Sequence, residues 1–304
     1  MKHVFIINPA AGKNKRALGL IPEIREYFEK NDGEHVIEVT KAPMDAARLA
    51  GLYAQKGEHV RLYSCGGDGT LMETLNGAFG CENTEIACIP CGSANDYIKN
   101  FDAALPFKSV GAQVRGEARQ VDTIDCNGRI SFNICCMGMD ADVADKMRYF
   151  KHFPLVTGRL AYNLAVVYMF FQPIGRRLNV SIETENGMVE QEGNYLFSLA
   201  ASGQYYGGGY HGAPQAVVDD GLLDFLFVDS VSHIKALGFI KRYKAGKHLD
   251  MPIVHSCRGN KMVVTSPIPV TVCIDGECFS EKEITFTIRK KSARFIIPEY
   301  VKKL

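Results

Sequence analysis

Residues 60–78 read VRLYSCGGDGTLMETLNGA. An apolar strand runs to Cys65, a glycine-rich turn containing Asp68 interrupts it, and residues 71–78 follow with helical character. A strand that ends in glycines and opens a helix presents free backbone N–H groups, and the positive end of the helix, to an anion. The stretch therefore predicts a phosphate-binding loop in an α/β sheet. A plain turn capped by Asp68 is the alternative.

The sequence on both sides of this loop alternates strands with helices. The predicted strands are His3–Ile7, His35–Thr40, Val60–Cys65 and Glu85–Ile89, and the predicted helices between them are Leu18–Glu29, Asp45–Gln55 and Leu71–Ala78. Such alternation is typical of a parallel sheet covered by helices on both faces. Sheets of this kind bind ligands at the carboxyl ends of their strands.

Two further loops follow strand ends. The first strand ends in Asn8-Pro9-Ala10-Ala11-Gly12, and the fourth ends in Pro90-Cys91-Gly92-Ser93-Ala94-Asn95-Asp96. Both place glycine beside polar side chains, as the Gly66–Thr70 loop does. Because the carboxyl ends of parallel strands meet at one edge of the sheet, we expect the three loops to converge there.

The pattern changes beyond about Gly116, where strands dominate and Asn-Gly turns separate several of them. The predicted elements there include a strand at Ile130–Met137 and a helix at Gly158–Phe170. The fold class predicted is an α/β amino-terminal domain with a parallel sheet, followed by a mainly antiparallel β domain. We place the first domain at 1–120, with a return of the chain at about 290–304, and the β-rich domain at 121–289.

Composition excludes some classes of protein. The formal net charge of +1 gives no reason to expect nucleic acid as a partner. The ten cysteines show no disulfide framework, and no secretory signal precedes the first strand, so a cytoplasmic protein with reduced thiols is expected. The apolar segment 160–171 is shorter than the about 20 residues that span a bilayer.

The motifs in combination resemble one known family, the diacylglycerol kinase catalytic domain, shared with sphingosine and ceramide kinases and with bacterial YegS-like and DgkB-like lipid kinases. The family's motifs appear in this sequence in the family's order: Asn8-Pro9-x-x-Gly12, Gly66-Gly67-Asp68-Gly69-Thr70, Pro90-x-Gly92-Ser93-x-Asn95-Asp96, Phe132-Asn133, Gly138-x-Asp140-Ala141, Ala213-Pro214, Asp220-Gly221-x-Leu223-Asp224 and Asp275-Gly276-Glu277. Ala11 and Ser93 stand where the family often has serine and threonine.

The resemblance implies an ATP-dependent lipid kinase whose domain structure is similar to that of diacylglycerol kinase and NAD kinase. It implies a nucleotide site formed by Asn8, Pro9, Gly12, Thr40, Gly66, Gly67, Asp68, Gly69, Thr70, Leu71, Met72, Ser93, Asn95 and Asp96. Glu277 is implied as the general base, because a lipid hydroxyl is a weak nucleophile that needs a proton acceptor. Asp68 is the second choice for this role, and Asp220 is implied in the same catalytic network.

The resemblance also implies Mg²⁺ beside Asp68, bound through water. A second, structural cation at Asp220 and the Leu222 backbone is a further expectation, with an ordinary turn as its alternative. Asp275-Gly276 likewise fits a plain hairpin turn. The apolar stretch 141–171 either contacts the acyl chains of a lipid or is an ordinary buried helix.

Several functions remain open besides phosphorylation of diacylglycerol. NAD kinase also carries a Gly-Gly-Asp-Gly-Thr loop, a sphingosine- or ceramide-type kinase would use the same motifs, and a non-catalytic regulator could keep the fold alone. The expected partner is a lipid at the inner face of the membrane, reached by peripheral association, and a homodimer is expected from the habit of the family. Gly207–Gly212 spells a dinucleotide fingerprint but lies outside a βαβ unit.

Overall fold

The computed structural model describes residues 1–12, 16–101, 104–153, 156, 158–173 and 175–299. The chain divides into two compact units. The first comprises Met1–Thr123 together with Arg289–Leu304, and the second comprises Ile124–Ile288.

The first unit is built on a parallel sheet. Its elements are β1 (Lys2–Ile7), α1 (Leu20–Lys30), β2 (Glu34–Val39), α2 (Asp45–Ala54), β3 (Val60–Gly66), α3 (Asp68–Ala78), β4 (Thr84–Pro90), a 3₁₀ turn (Tyr97–Asn100), α4 (Ala104–Phe107), α5 (Val110–Val114), β5 (Glu117–Cys126) and the end of β15 (Glu277–Ile297). The strand order is β15-β4-β3-β1-β2, and these neighbours pair in parallel.

Helices cover both faces of this sheet because its strands are apolar on both faces. In β1, Phe5 and Ile7 pack into a core with α1, whereas Val4 and Ile6 pack into a second core with α2. All four side chains are fully buried. Continuous burial of this kind is typical of a parallel strand inside a doubly covered sheet.

The second unit is mainly antiparallel. Its elements are β6 (Arg129–Ser131), β7 (Ile134–Gly138), α6 (Met139–Phe150), α7 (Gly158–Phe170), β8 (Arg176–Thr184), β9 (Gly187–Ala201), β10 (Tyr205–Tyr206), β11 (Tyr210–His211), β12 (Leu223–Asp229), α8 (His233–Lys244), β13 (Val254–Gly259), β14 (Lys261–Ile274) and the start of β15. The strand order is β13-β12-β9-β7-β14-β15, with β8 paired to both β9 and β14.

Two long strands bend this sheet. The register of β14 shifts between Thr265 and Val270, so that its first part pairs with β8 and its last part pairs with β7. β9 divides its pairing between the same two partners. A bulge increases local twist and allows a long strand to serve two neighbours. The predicted fold class, parallel α/β followed by antiparallel β, is confirmed.

Candidate active site

The loop between β3 and α3 turns sharply at its first glycine. A Cβ on Gly66 would lie 2.3 Å from the Thr70 hydroxyl oxygen, so no larger residue fits there. α3 begins at Asp68 directly after an extended Gly67, and no side chain caps its first turn. The first N–H groups of a helix have no partner within the helix, so this end is suited to an anion.

The loop after β1 contacts the glycine loop. The Asn8 amide donates through Nδ2 to the Thr70 hydroxyl over 3.0 Å, and its Oδ1 accepts from the Ala10 N–H over 3.0 Å. The Thr40 N–H donates to the Ile7 carbonyl over 2.9 Å, which fixes the end of β2 beside Asn8. The side chain of Asn8 thus links two of the predicted loops.

The loop after β4 closes on the same glycines. The Gly66 carbonyl accepts from the Cys91 N–H, the Gly92 N–H and Asn95 Nδ2, at 2.8, 3.0 and 3.0 Å. A Cβ on Gly92 would lie only 2.5 Å from the Cα of Gly67, so the two loops touch through their glycine backbones. All three loops therefore meet at one edge of the sheet of the first unit.

Asp68 lies in this cluster as a half-buried carboxylate. Its Oδ1 accepts from the Asp96 N–H over 2.6 Å. Burial raises the pKa of the Asp68 carboxyl above its ordinary value, and the nearby Asp96 charge adds to this, whereas backbone N–H groups of residues 95–97 oppose it. Asp96 itself forms an ion pair with Lys99. A carboxylate in this position can hold a hydrated cation or accept a proton.

The other predicted nucleotide-site residues of the first unit differ in exposure. Ser93 and Gly69 are exposed, and Pro9 is half-buried. Leu71 and Met72 lie inside α3 with buried side chains, and the Leu71 N–H already donates to the Gly67 carbonyl over 3.1 Å. Gly12 has φ +78°, and a Cβ there would lie 2.2 Å from the Cys91 carbonyl oxygen. Close approach of the backbone thus explains glycine at this position.

Glu277 lies in the second unit at the tip of a hairpin. Asp275 and Gly276 have φ values of +47° and +94° and join Ile274 of β14 to Glu277 of β15 as a two-residue turn. The Ser131 hydroxyl donates to Asp275 Oδ2 over 2.7 Å, which anchors the turn. Glu277 is exposed. Asp275-Gly276 is therefore a hairpin turn, and this turn leaves the Glu277 carboxylate accessible.

Asp220 and Leu222 lie in the loop before β12. The Leu222 N–H donates to Asp220 Oδ1 over 3.1 Å, and the Asp220 carboxylate forms an ion pair with the Arg258 guanidinium of β13. An arginine already neutralises this carboxylate, which does not favour a cation at the same oxygens. Among the described residues, no three acidic, histidine or cysteine side chains cluster as a metal site. The second cation stays a prediction.

A half-buried carboxyl outside the predicted site was missed as a site feature. Asp140, at the start of α6, accepts from the Tyr206 hydroxyl at Oδ2 and from the Ala141 N–H at Oδ1, each over 2.8 Å. Tyr206 also contacts the Tyr243 hydroxyl over 2.8 Å. Burial raises the pKa of Asp140 to about 7. The Gly138-x-Asp140-Ala141 motif in the sequence pointed to Asp140, but it did not predict a hydrogen-bond partner for the carboxyl.

Two other features of the second unit lie apart from the predicted site residues. The first three residues of the dinucleotide-like stretch Gly207–Gly212, all glycines, have positive φ and form a turn between β10 and β11. A groove of about 480 Å³ is lined by residues that include Lys146, Tyr168, Arg176 and Ile268. Arg176 at its wall pairs with Asp142 over 2.8 Å.

Comparison with known proteins agrees with this division of the chain. Residues 2–126 match the diacylglycerol kinase catalytic domain, and residues 133–297, more than half of the chain, match the YegS C-terminal NAD kinase beta sandwich-like domain. A protein named "Diacylglycerol kinase" from Bacillus subtilis is 25% identical over 287 residues, which is 91% of this chain and 90% of that protein.

Other relatives cover similar lengths. A protein named "Probable lipid kinase YegS-like" from Shewanella frigidimarina is 26% identical over 87% of this chain and 85% of its own length. The crystal structure of a diacylglycerol kinase from Bacillus anthracis superposes with a TM-score of 0.71 over 99% of this chain and 98% of that chain, at 18% identity. That last likeness supports the fold alone.

The parallel sheet with its loop cluster, followed by an antiparallel β unit, corresponds to a diacylglycerol kinase catalytic domain followed by a YegS C-terminal domain. The two family matches make the identification narrower: the chain belongs to the diacylglycerol kinase and YegS family of lipid kinases.

Proposed function

We propose that this lipid kinase transfers the γ-phosphoryl group of ATP to the hydroxyl of diacylglycerol, forming phosphatidic acid. The observation that carries the nucleotide part is the convergence of three glycine-containing loops, which join at the Gly66 carbonyl and at the Thr70 hydroxyl. Diacylglycerol is supported by the name of the Bacillus subtilis relative. The cytoplasm and the inner face of the membrane remain the expected location.

The loop cluster suits the phosphates of ATP. Gly66 and Gly92 allow the loops to pack closely, and Gly69, where a Cβ would meet no atom within 4 Å, leaves room for a phosphate beside the uncapped start of α3, which adds its partial positive charge. Asn8, by holding Thr70, keeps the first turn of α3 in place. In this proposal, residues of the first unit bind and orient the phosphoryl donor.

The residues near Asp68 fit a Mg²⁺ ion whose ligands are mostly nucleotide phosphates and water. The described residues offer the Asp68 carboxylate there, stabilised by backbone N–H groups, with the Asp96 carboxylate beside it paired to Lys99, and no cage of several acidic side chains. Magnesium commonly keeps several waters and takes one or two carboxylates. When bound, the ion neutralises charge on the transferring phosphoryl group. Removal of Mg²⁺ with EDTA is expected to abolish activity.

Glu277 accepts the proton of the lipid hydroxyl in this proposal. Its carboxylate is exposed on a hairpin whose turn is fixed by Ser131 and Asp275, so it is accessible to an acceptor. Removing a proton as the phosphoryl group transfers makes the hydroxyl oxygen a better nucleophile. Asp68 is the second candidate for this role.

Replacement of Glu277 tests the base assignment. We expect Glu277→Gln to lower kcat about 10²- to 10⁴-fold, the usual contribution of a general base, with ATP affinity unchanged. Glu281→Gln, an exposed glutamate on the same strand, is the matched control and should keep the wild-type rate. A wild-type rate in Glu277→Gln would end its assignment and make Asp68→Asn the next variant to measure.

The acceptor is tested by an ATP- and Mg²⁺-dependent labelling assay that offers diacylglycerol, sphingosine, ceramide, a polyprenol and NAD in parallel. Label in diacylglycerol supports the proposal. Label in another lipid alone keeps the lipid kinase and replaces the acceptor. Label in NAD alone contradicts the proposed acceptor class. Bound ATP without label in any acceptor would indicate a regulator that has lost catalysis.

A further inference from the structure

Three thiols stand side by side on the sheet of the second unit. Cys278 of β15 lies opposite Cys273 of β14, and Cys273 lies opposite Cys136 of β7. Cys136 and Cys273 are buried in the core of this unit, and the half-buried Cys278 packs against that core. Side chains directly opposite each other on one face of a sheet are close enough to interact. The three side chains therefore form a continuous thiol row across three strands.

Hydrogen bonds join the thiol row to Asp140. The Cys278 thiol bonds to Cys273, which bonds in turn to Cys136. Cys136 bonds to the Asp140 carboxyl. Cys278 Sγ also lies 3.9 Å from the carbonyl oxygen of Ala141. A thiol is a weak donor, but a carboxylate is a strong acceptor, and hydrogen bonds in a chain polarise one another. The Asp140 carboxylate is thus the acceptor on which the thiol row ends.

The Asp140 carboxyl is fixed from its other side. Its Oδ2 accepts from the Tyr206 hydroxyl and its Oδ1 from the Ala141 N–H, each over 2.8 Å. The Tyr206 hydroxyl also contacts the Tyr243 hydroxyl of α8 over 2.8 Å. Tyr243 belongs to the core of the second unit, and Tyr206 packs against that core. Because several partners fix its orientation, the carboxyl gives the thiol row a fixed end.

The thiols of the row keep their protons at neutral pH. The hydrogen bond with Cys136 raises the pKa of Cys273, and the hydrogen bond with Cys273 raises the pKa of Cys278. In Cys136 the bond with Cys273 lowers the pKa, but burial and the Asp140 charge outweigh it and raise the pKa to about 12. A protonated thiol is a hydrogen-bond donor and a poor nucleophile. The row therefore fits a structural role and not a reactive one.

Glu277 lies on the same hairpin as the end of the thiol row. The pair of Cys273 and Cys278 directly follows the pair of Ile274 and Glu277, which borders the two-residue turn. Successive side chains of a strand point to opposite faces, so Cys278 packs on the core and Glu277 points to solvent. Since the two residues are covalently adjacent, contacts that fix Cys278 also restrict the backbone of Glu277.

We propose that Asp140 is a positioning residue for Glu277 and acts on it through the thiol row. The row fixes the stem of the hairpin beside the start of α6 and so restricts where the Glu277 carboxylate can lie. A general base must lie within hydrogen-bond reach of the proton that it accepts, and small displacements cost large factors in rate. The inference rests on the proposed role of Glu277, and it adds residues that act without touching the substrate.

The first test replaces Cys273, the middle of the thiol row. Cys273→Ala and Cys273→Ser both remove the sulfur, but only serine keeps a group that donates and accepts hydrogen bonds. We expect Cys273→Ala to lower kcat about tenfold with the KM for ATP unchanged, and to speed amide hydrogen exchange in peptides covering residues 270–280. Cys273→Ser should keep both within about twofold of wild type. Equal losses in the two variants would indicate packing alone and overturn the proposal.

Asp140→Asn tests the other end of the row with little change of shape. Rates are measured at pH 8, above the pKa of about 7 that burial gives Asp140, so that the wild-type carboxylate is ionised. A neutral amide accepts more weakly than a carboxylate, so we expect kcat to fall about threefold and hairpin exchange to quicken.

Cys257→Ala is the matched control for both variants. Cys257 is a half-buried thiol on β13 of the same unit, opposite Phe225 and outside the thiol row. This variant should keep the wild-type kcat and the wild-type hairpin exchange. Wild-type hairpin exchange in both Cys273→Ala and Asp140→Asn would overturn the proposal.

A double-mutant cycle separates this inference from the assignment of the base. In the Glu277→Gln background, Cys273→Ala should cause no further loss of kcat, because no base is left to position. A further loss of about tenfold there would overturn action through Glu277. A wild-type rate in Glu277→Gln alone would instead contradict the assignment of the base. Hairpin exchange does not depend on activity, so it would still show whether the thiol row fixes the hairpin.

Discussion

Two glycines decide how closely the loops of the first unit approach. Gly92 lies against Gly67, and a Cβ there would be 2.5 Å from the neighbouring Cα, which is backbone and cannot turn aside. We expect Gly92→Ala to force the loops apart and to lower the free energy of unfolding by about 1–3 kcal/mol, the usual cost of overpacking. Thermal and urea unfolding measure this loss.

Gly69→Ala is the matched control for stability. A Cβ at Gly69 meets no atom within 4 Å, and the residue lies in the first turn of α3, where alanine is the better helix former. The free energy of unfolding of this variant should be equal to or greater than that of wild type. Equal stability of Gly92→Ala and Gly69→Ala would show that the loops do not require the close approach of Gly67 and Gly92.

We expect the half-buried Asp140 carboxyl to make the free energy of unfolding depend on pH. Burial raises its pKa in the folded protein to about 7 from the ordinary value of 3.8. Between these values the folded state holds a proton that the unfolded state has released, so stability falls as pH rises through this window. The full contribution is present below about pH 4 and lost above about pH 7, at up to about 1.4 kcal/mol per pH unit.

Asp140→Asn should therefore flatten the stability profile between pH 4 and 7, measured by urea unfolding across that range. The amide cannot ionise, so the variant keeps near pH 8 what wild type loses. Asp145→Asn, a more exposed carboxylate on the same helix, should keep the wild-type slope. A wild-type slope in Asp140→Asn would mean that other groups cause the pH dependence.

For single residues, the sequence predicted which of them form loops. It did not predict the hydrogen-bond and ion-pair partners that lie far apart in the chain. The glycines and Asn8 could be read from turn chemistry at strand ends. The ion pair of Asp220 with Arg258 could not, because the partners are 38 residues apart and meet only through the pairing of β12 with β13. The network of Asp140 with Tyr206 is hidden for the same reason.

At the scale of elements, a buried ion pair joins β3 to β4. The Arg61 guanidinium donates to Glu85 over 2.8 Å, with side-chain exposures of 7% and 4%. Arg61 also donates to the carbonyls of Gln113 and Val114, and Arg294 of β15 donates to Glu85. One carboxylate thus connects β3, β4 and the end of β15.

We expect Glu85→Gln to cost about 3–5 kcal/mol of unfolding free energy, because it leaves the Arg61 charge buried without its partner. Urea unfolding followed by far-UV circular dichroism measures the change. Glu82→Gln, an exposed glutamate in the turn before β4, should unfold as wild type does. A loss below about 1 kcal/mol would mean that water reaches Arg61 and that the pair behaves as a surface ion pair.

Elements with strong periodicity were predicted well, and departures have local causes. Helix Gly158–Phe170 has the predicted bounds. The single strand predicted at 130–137 is two strands, because the Asn133 carbonyl accepts from the Ser202 and Gly203 N–H groups and leaves the ladder. β13 was missed: Val254–Gly259 reads VHSCRG and carries mostly polar, exposed residues, so it has no hydrophobic signal.

For the whole molecule, the cysteines offer a simple test of redox state. All ten are free thiols, seven of them buried, and Cys81, Cys257 and Cys278 half-buried. We expect iodoacetamide to modify at most these three thiols in the folded protein and all ten after unfolding, as counted by mass spectrometry. Burial raises the pKa of the Cys257 thiol, so its labelling should be slow at neutral pH.

Unfolding without reductant should expose the same ten reactive thiols as unfolding with it. Eight reactive thiols under the first condition would indicate a disulfide and contradict the free state of the cysteines. The midpoint of thermal unfolding should likewise be the same with and without reductant, since no cross-link constrains the unfolded chain.

The order of predicted elements along the chain gave a better prediction of the fold class than the overall charge gave of the surface. Alternating strands and helices followed by strands were enough for the two-part architecture, which is confirmed. The net charge of +1, by contrast, does not show how charge is distributed over the surface. The net charge sums over the whole chain, so it cannot show where charges of one sign are concentrated. Helix α8, for example, has four cationic residues and no acidic residue among its twelve.

The late return of the chain to the first unit has a consequence for biosynthesis. Phe295 of β15 pairs with Ile86 of β4 and stacks on Phe101, yet the ribosome adds it about 170 residues after the start of the second unit. The second unit also needs the start of β15, up to Ile288, so neither unit is complete before this strand has left the ribosome. We expect the sheet of the nascent first unit to stay incomplete beside β4 until the end of β15 leaves the ribosomal exit tunnel. The folding of both units of this kinase would then finish with the same strand.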